Sequence, residues 1–228
     1  MLHRLYAVHD QAITIEFSQE ISEDDNMRVI SLQHAIESNP FKGFIECVPA
    51  YASLTVYFND QISSLDVRAQ LMSFYDTHSE NVKSGATKNN EQTIIIPVCY
   101  EPALGVDLPW VSKHLDLSHE EIISLHTSIA YRVFMIGFIP GFPYMGSLPL
   151  ELELPRKQTP SMKIPMGSVA IAGKQTGIYP AEVPGGWHVI GRTPFKMFDK
   201  TKEPCCFLNA GDFVQFKSIS LEEFNQYS

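Results

Sequence analysis

The sequence is short of cations and of cysteine, and it has no long apolar run. Each shortage removes a class of function. With 17 Lys and Arg against 26 Asp and Glu, the chain carries −9 at neutral pH, and its pI is near 5.3. Binding nucleic acid through its phosphates needs the opposite balance, so no nucleic-acid partner is expected. No run of about 18 apolar residues occurs, and no basic stretch leads into an apolar one near Met1. The expectation is therefore a protein that neither spans nor anchors to a membrane and resides in the cytoplasm. The four cysteines, Cys47, Cys99, Cys205 and Cys206, show no C-x-x-C spacing. Adjacent Cys205 and Cys206 could form a vicinal disulfide or hold a soft metal. The preferred reading is reduced cysteines on strand edges, acting as small apolar residues.

Three catalytic motifs are missing as well. Without G-x-x-x-x-G-K-[ST] there is no Walker-type ATP loop. Without G-x-G-x-x-G or G-x-S-x-G, the simplest dinucleotide and serine-hydrolase readings fall away. His114, His119 and His126 lack the i, i+4 spacing that sets two imidazoles on one helix face, so no metal site is expected.

What the chain has in excess is concentrated in one place. Nine of its fifteen prolines and nine of its thirteen glycines lie between Gly137 and Pro194. Proline fixes φ and glycine permits turns closed to other residues, so this stretch reads as rigid, sharply turned backbone joining short strands. From Leu154 to Phe198 it carries Arg156, Lys157, Lys163, Lys174, Arg192 and Lys196 against one acid, Glu182. That segment sums to +5, leaving −14 for the rest. A rigid basic surface on an acidic protein suits an anion or an acidic partner.

The pattern along the chain predicts two domains. Ala12–Phe17 reads as a strand, and Ser22 caps a helix carrying Val29, Leu32 and Ile36, stopped at Asn39-Pro40. Phe44–Val48 and Ser53–Phe58 read as a hairpin, and a second helix follows Ser63 and Ser64. The order β-α-β-β-α predicts a small α/β sandwich over residues 1–85, ended by the polar stretch 81–92. The domain over 91–228 opens with a strand at Thr93–Val98. Asp107 is placed as cap of a short helix carrying Trp110, and Ser118 with Glu121 as a capping box for a helix through His126. Strands follow at Tyr131–Phe138, Ser168–Ala172, Trp187–Ile190, Lys196–Phe198 and Phe213–Phe216. Many short strands punctuated by Gly and Pro make a β-barrel, so the fold class is α+β.

Several ordered motifs then resemble a known family. They include His126-Thr127…Tyr131-Arg132-Val133, Gly137-Phe138-x-Pro140-Gly141-Phe142-x-Tyr144, and Pro155-Arg156…Thr159-Pro160. Further on come Ala172-Gly173-x-Gln175-Thr176-Gly177-x-Tyr179-Pro180, Pro184-Gly185-Gly186-Trp187 and Gly191-Arg192-Thr193-Pro194. Together with Val48-Pro49-Ala50-Tyr51 they resemble the allophanate-hydrolase subunit 1 family over nearly the whole chain. The resemblance implies that the barrel is cyclophilin-like. It also implies a B subunit working with subunits A and C in ATP-dependent hydrolysis of 5-oxoproline (pyroglutamate) to glutamate. Relatives implied by the same motifs inhibit a sporulation-type sensor histidine kinase or act as carboxyltransferases on urea or allophanate. Where the family places an arginine after Thr159-Pro160, this chain has Ser161, with Lys163 two residues on.

Residue chemistry points the same way. A substrate with a carboxylate and a stable amide needs an anion clamp and an activated carbonyl, which phosphorylation by ATP supplies. Arg156 and Arg192 are candidate clamps, with Lys163 and Gln175 beside them in the motifs. Gly185 and Gly186 can bring backbone N–H groups to an anion, and Tyr144 and Trp187 can wall a pocket. His126 and Tyr131 are the candidates for proton transfer. Each has a structural alternative: Arg156 and Arg192 as turn ties, His126 as a helix C-terminal residue, Trp187 and Tyr144 as core. Lys157, Lys174 and Lys196 are expected in solvent or at an interface.

Overall fold

The computed structural model describes residues 4–78 and 93–227; the polar stretch 81–92 lies outside them. The chain separates into two compact units, Met1–Glu91 and Gln92–Ser228.

The first unit contains β1 (Arg4–His9), β2 (Ala12–Glu16), α1 (Glu23–Ser38), β3 (Phe44–Pro49), β4 (Ser53–Phe58) and α2 (Ser64–His78). Its antiparallel sheet has the order β1-β2-β4-β3. The sequence missed β1, a largely exposed edge strand with no buried alternate face to display. Ser22 caps α1 by accepting from the Asp25 N–H, and Asn39 ends it. Val29, Leu32 and Ile36 are buried beneath that helix, which packs on β3, β4 and α2. Asn26 is fully buried with them, and its amide donates to the Ala50 and Tyr51 carbonyls at 3.3 and 3.1 Å. Those bonds tie the start of α1 to the β3–β4 turn.

The second unit is built on seven strands in the order β12-β9-β10-β7-β6-β13-β5. They are β5 (Ile94–Val98), β6 (Ala130–Ile136), β7 (Pro143–Gly146), β9 (Ser168–Ala172), β10 (Gln175–Ile178), β12 (His188–Arg192) and β13 (Phe213–Ser218). Among the described pairs, only β5 and β13 run parallel. Just beyond β5, Cys99 exchanges two backbone hydrogen bonds of 2.9 Å with Arg192 at the end of β12. The sheet thereby curls into a nearly closed barrel. A separate ribbon pairs β8 (Ser161–Ile164) with β11 (Val183–Gly185). Helices α3 (Leu108–Leu115), α4 (His119–Thr127) and α5 (Leu221–Gln226) complete the unit. No described helix is long and apolar enough to cross a membrane.

Strand alternation divides the apolar residues of β9 between two clusters. Val169 and Ile171 join the main core with Tyr131, Val133 and Ile190, where Leu108, Val111 and Ile122 of α3 and α4 also pack. Ala170 and Ala172 face a second cluster of Phe142, Ile164, Tyr179, Trp187 and Val189. Both faces of β9 are covered, which is why its sequence is an unbroken apolar run.

Several expectations need correction. The strand expected at Tyr131–Phe138 ends at Ile136, and Phe138 has a positive φ of 67°. The strand expected at Trp187–Ile190 begins one residue later, at His188, and runs on to Arg192, and Lys196–Phe198 contributes only a bridge from Phe198 to Cys206. All four cysteines are free; Cys47 and Cys99 are buried, whereas Cys205 and Cys206 are half-exposed. Ser118 and Glu121 form the expected capping box, but Asp107 makes no side-chain cap for α3. Its carboxylate instead accepts from the Val189 N–H at 2.7 Å and pairs with Lys157 at 2.6 Å.

Candidate functional site

The second cluster opens to solvent as a pocket of about 260 Å³. Its walls are aromatic rings packed edge to face: Phe142 lies 4.8 Å from Tyr144, 5.1 Å from Tyr179 and 5.5 Å from Trp187, centroid to centroid. Edge-to-face packing locks each ring by its neighbours and gives the pocket a fixed shape. Phe138, turned outward by its positive φ and 60% exposed, stands at the rim.

One cation enters this pocket. Arg156 holds its guanidinium 5.9 Å from the centre of the Trp187 ring, a cation–π contact. Two backbone ties fix the segment that carries it. The Lys157 N–H donates to the Gly186 carbonyl at 2.8 Å, and His188 Nε2 lies 3.0 Å from the Pro155 carbonyl, which it can reach only as a donor. The phenols of Tyr144 and Tyr179 are also on the pocket. Burial raises the Tyr144 pKa against the pull of Arg156. Burial likewise pushes Tyr179 up to about 12, although a backbone hydrogen bond from Trp187 eases it. Both are O–H donors at neutral pH.

Gly185 and Gly186 differ in what surrounds them. A Cβ on Gly185 would collide with the Tyr179 hydroxyl, whereas one on Gly186 would meet nothing nearer than 3.9 Å.

The pocket therefore gathers Tyr144, Arg156, Gly185, Gly186 and Trp187. It leaves the other five sequence candidates elsewhere. His126 is fully buried in the barrel, with Tyr100 Oη 2.7 Å from Nδ1 and Thr176 Oγ1 2.9 Å from Nε2. The Thr176 hydroxyl donates to the Ala170 carbonyl, so Nε2 carries the proton and Nδ1 accepts from Tyr100. Tyr131, also fully buried, donates to the His126 carbonyl at 3.0 Å. Neither group meets the pocket, and both satisfy polar atoms within the core. Gln175 is buried on β10, paired with Gly146 and Ala172. Lys163 is 80% exposed and lies 3.7 Å from Glu182. Arg192 is half-buried beside its register partner Ser168, and its Nε and the Ser168 Oγ have no hydrogen-bond partner among the described residues.

The sequence reading missed a second group. Asp107, Trp110, His114, Lys157 and His188 line an adjoining cavity of about 550 Å³, which Arg156 also borders. Lys157, expected in solvent or at an interface, is withdrawn into the pair with Asp107 at 15% side-chain exposure. The i, i+4 spacing of Trp110 and His114 was a visible signal. Nothing local connected either to Lys157 or His188. Among the described residues, no cluster of three or more His, Cys, Asp or Glu side chains could hold a metal ion.

Residues 3–208 match the family model for the carboxyltransferase domain, subdomains C and D. The chain belongs to that family. The chain is similar to the B subunit of 5-oxoprolinase from Bacillus subtilis (strain 168), 40% identical over 99% of this chain and 96% of that one. The protein of the same name from Escherichia coli O157:H7 is 35% identical over 93% of this chain and 94% of its own. Among solved structures, TTHA0988 superposes with a TM-score of 0.79 at 33% identity, covering 92% of this chain. This chain spans only 40% of the length of that one.

Proposed function

We propose that this carboxyltransferase-family chain is the B subunit of a 5-oxoprolinase, acting with subunits A and C to hydrolyse 5-oxoproline to glutamate at the expense of ATP. The observation that carries this reading is the pair of relatives bearing that name, each aligned over more than nine-tenths of both chains. The aromatic pocket supports it. 5-Oxoproline is a small flat lactam with one carboxylate. The pocket offers one guanidinium, flat aromatic walls and two protonated phenols.

In this reading Arg156 clamps the carboxylate through charge-assisted hydrogen bonds. Trp187 and Tyr144, set edge to face at 5.8 Å, wall the ring on adjoining sides, and the Tyr144 hydroxyl donates toward the lactam oxygen. The amide is stable in water, so its opening needs activation of that carbonyl, which ATP supplies by phosphorylation. The described residues on the pocket include no general base, so partner subunits complete the chemistry. We place the complex in the cytoplasm, in keeping with four free cysteines.

The test is to co-express this chain with subunits A and C and measure ATP-dependent glutamate formation from 5-oxoproline. Omitting the chain should abolish activity; an unchanged rate without it would overturn the assignment.

A further inference from the structure

Arg156 is the one residue common to the aromatic pocket and the larger cavity beside it. That cavity is built differently. At its edge Lys157 Nζ sits 2.6 Å from Asp107 Oδ2 and donates to Ser161 Oγ at 2.9 Å. The same Asp107 oxygen accepts from the Val189 N–H. Ion pairs this withdrawn from water lose much of their Coulomb gain to desolvation and contribute little to stability. This one has the effect of holding an ammonium at a fixed point on the cavity. With Arg156 it gives two cations against one carboxylate, a positive site on a chain of −9. Gln158, Thr159 and Ser161 add neutral polar side chains from the same short segment.

Another part of the lining is aromatic. The Trp110 ring stacks on His188 at 4.4 Å and 4°, and on His114 at 4.7 Å and 12°. Trp110 remains 47% exposed. Burial lowers the pKa of His188, so its ring is neutral at pH 7.

A lone carboxylate needs one guanidinium, and the smaller pocket has it. Two adjacent cations, several neutral donors and a stacked aromatic wall suit a larger anion with more oxygens and a planar group. We propose that this cavity is a second ligand site that takes a nucleoside phosphate, with Arg156 and Lys157 on its phosphates and the Trp110 layer beside its base. Arg156 then stands between the two ligands. The inference rests on the reading above for its need of a phosphoryl donor. It also supplies phosphate contacts from side chains in a chain that lacks a Gly-rich phosphate loop.

The chain's two tryptophans make the test direct, because one lies on each cavity. Trp187→Phe leaves Trp110 as sole reporter, and Trp110→Phe leaves Trp187. ATP should change Trp110 emission saturably in the first variant, and 5-oxoproline should change Trp187 emission in the second. Inorganic tripolyphosphate, lacking base and sugar, should bind at Trp110 more weakly than ATP. In the complex, Asp107→Asn with Lys157→Gln should raise the KM for ATP about tenfold, the effect of losing a hydrogen bond to a charged group. A Trp110 that responds to neither ATP nor tripolyphosphate, with an unchanged KM for ATP in the double variant, would overturn the proposal. If the double variant fails to fold, the single-tryptophan titrations decide alone. A complex that makes glutamate while Trp110 stays silent to ATP removes this site and leaves the functional reading intact. ATP binding at Trp110 in a chain whose omission costs no activity does the reverse.

Discussion

His126 illustrates how a side chain with catalytic chemistry can be committed to the core. Its two nitrogens bridge Tyr100 and Thr176, and burial holds its pKa at about 3 against 6.5 in the open chain. The folded state therefore refuses a proton that the unfolded state accepts. The associated stability is complete above pH 6.5 and is lost progressively as pH falls toward 3, at about 1.4 kcal/mol per unit. Urea unfolding followed by tryptophan fluorescence should show His126→Gln losing about 2 kcal/mol less than the wild type between pH 7.5 and pH 5. At pH 7.5, His126→Ala should cost about 3 kcal/mol, since it opens a cavity and strands two hydroxyls. Equal pH slopes in wild type and variant would refute the assignment of that proton to His126. Arg156 is the opposite case, an exposed cation proposed above as the carboxylate clamp. Arg156→Gln should raise the KM for 5-oxoproline by about 10- to 100-fold. Arg156→Lys should restore little of it, because an ammonium lacks the planar fork. A wild-type KM in Arg156→Gln would remove the carboxylate clamp.

The ribbon and the turn after it carry a finer prediction than the sequence could. Gly185 and Gly186 read there as an equivalent pair able to approach an anion. In the fold, the Tyr179 phenol fills the space of a Gly185 side chain, while a Gly186 side chain would make only ordinary contacts at 3.9 Å with the Lys157 carbonyl and Pro160. Gly185→Ala should cost about 1–3 kcal/mol by overpacking and distort the pocket by displacing Tyr179. Gly186→Ala should stay within about 1 kcal/mol of wild type. Thermal melts of the two variants, with the KM for 5-oxoproline, would separate them; equal losses would contradict this packing. The contrast also marks where sequence reasoning reached. The Ser22 cap, the Ser118–Glu121 box and the apolar run of β9 are local signals, and they predicted their elements. Strands β7, β8, β10 and β11 have only three or four residues each, too few for a period to emerge between Gly and Pro. Asp107 shows a local preference overruled. A capping residue by position, it is claimed by Lys157 and the Val189 N–H, 50 and 82 residues away, partners that no local pattern reveals. For the same reason Tyr144, Arg156 and Trp187 were singled out as candidates through their motifs, while Trp110, His114 and His188 were not.

On the scale of the whole chain the informative quantity is the uneven charge. The segment 154–198 carries +5 on a molecule of −9, and both cavities draw lining residues from it. Only Arg156 and Lys157 of its six cations line either cavity. Lys163 and Lys174 are 80% and 72% exposed, paired only at 3.7 and 4.0 Å with Glu182 and Glu153, and Lys196 is exposed. Exposed pairs of this kind add almost nothing to stability. Their field, however, extends about 10 Å at 0.1 M salt and shrinks to about 3 Å at 1 M. Capture of an anionic substrate can therefore depend on lysines that never touch it. Replacing Lys163, Lys174 and Lys196 together by glutamine should lower kcat/KM for 5-oxoproline severalfold at low salt and leave kcat unchanged. The difference from wild type should vanish near 1 M salt, where screening removes the contribution in both proteins. The unfolding midpoint should move little, because no buried contact is lost. A deficit that persists at high salt, or a fall in kcat, would mean that one of these lysines touches the substrate or a partner subunit, and the field would no longer account for the basic segment.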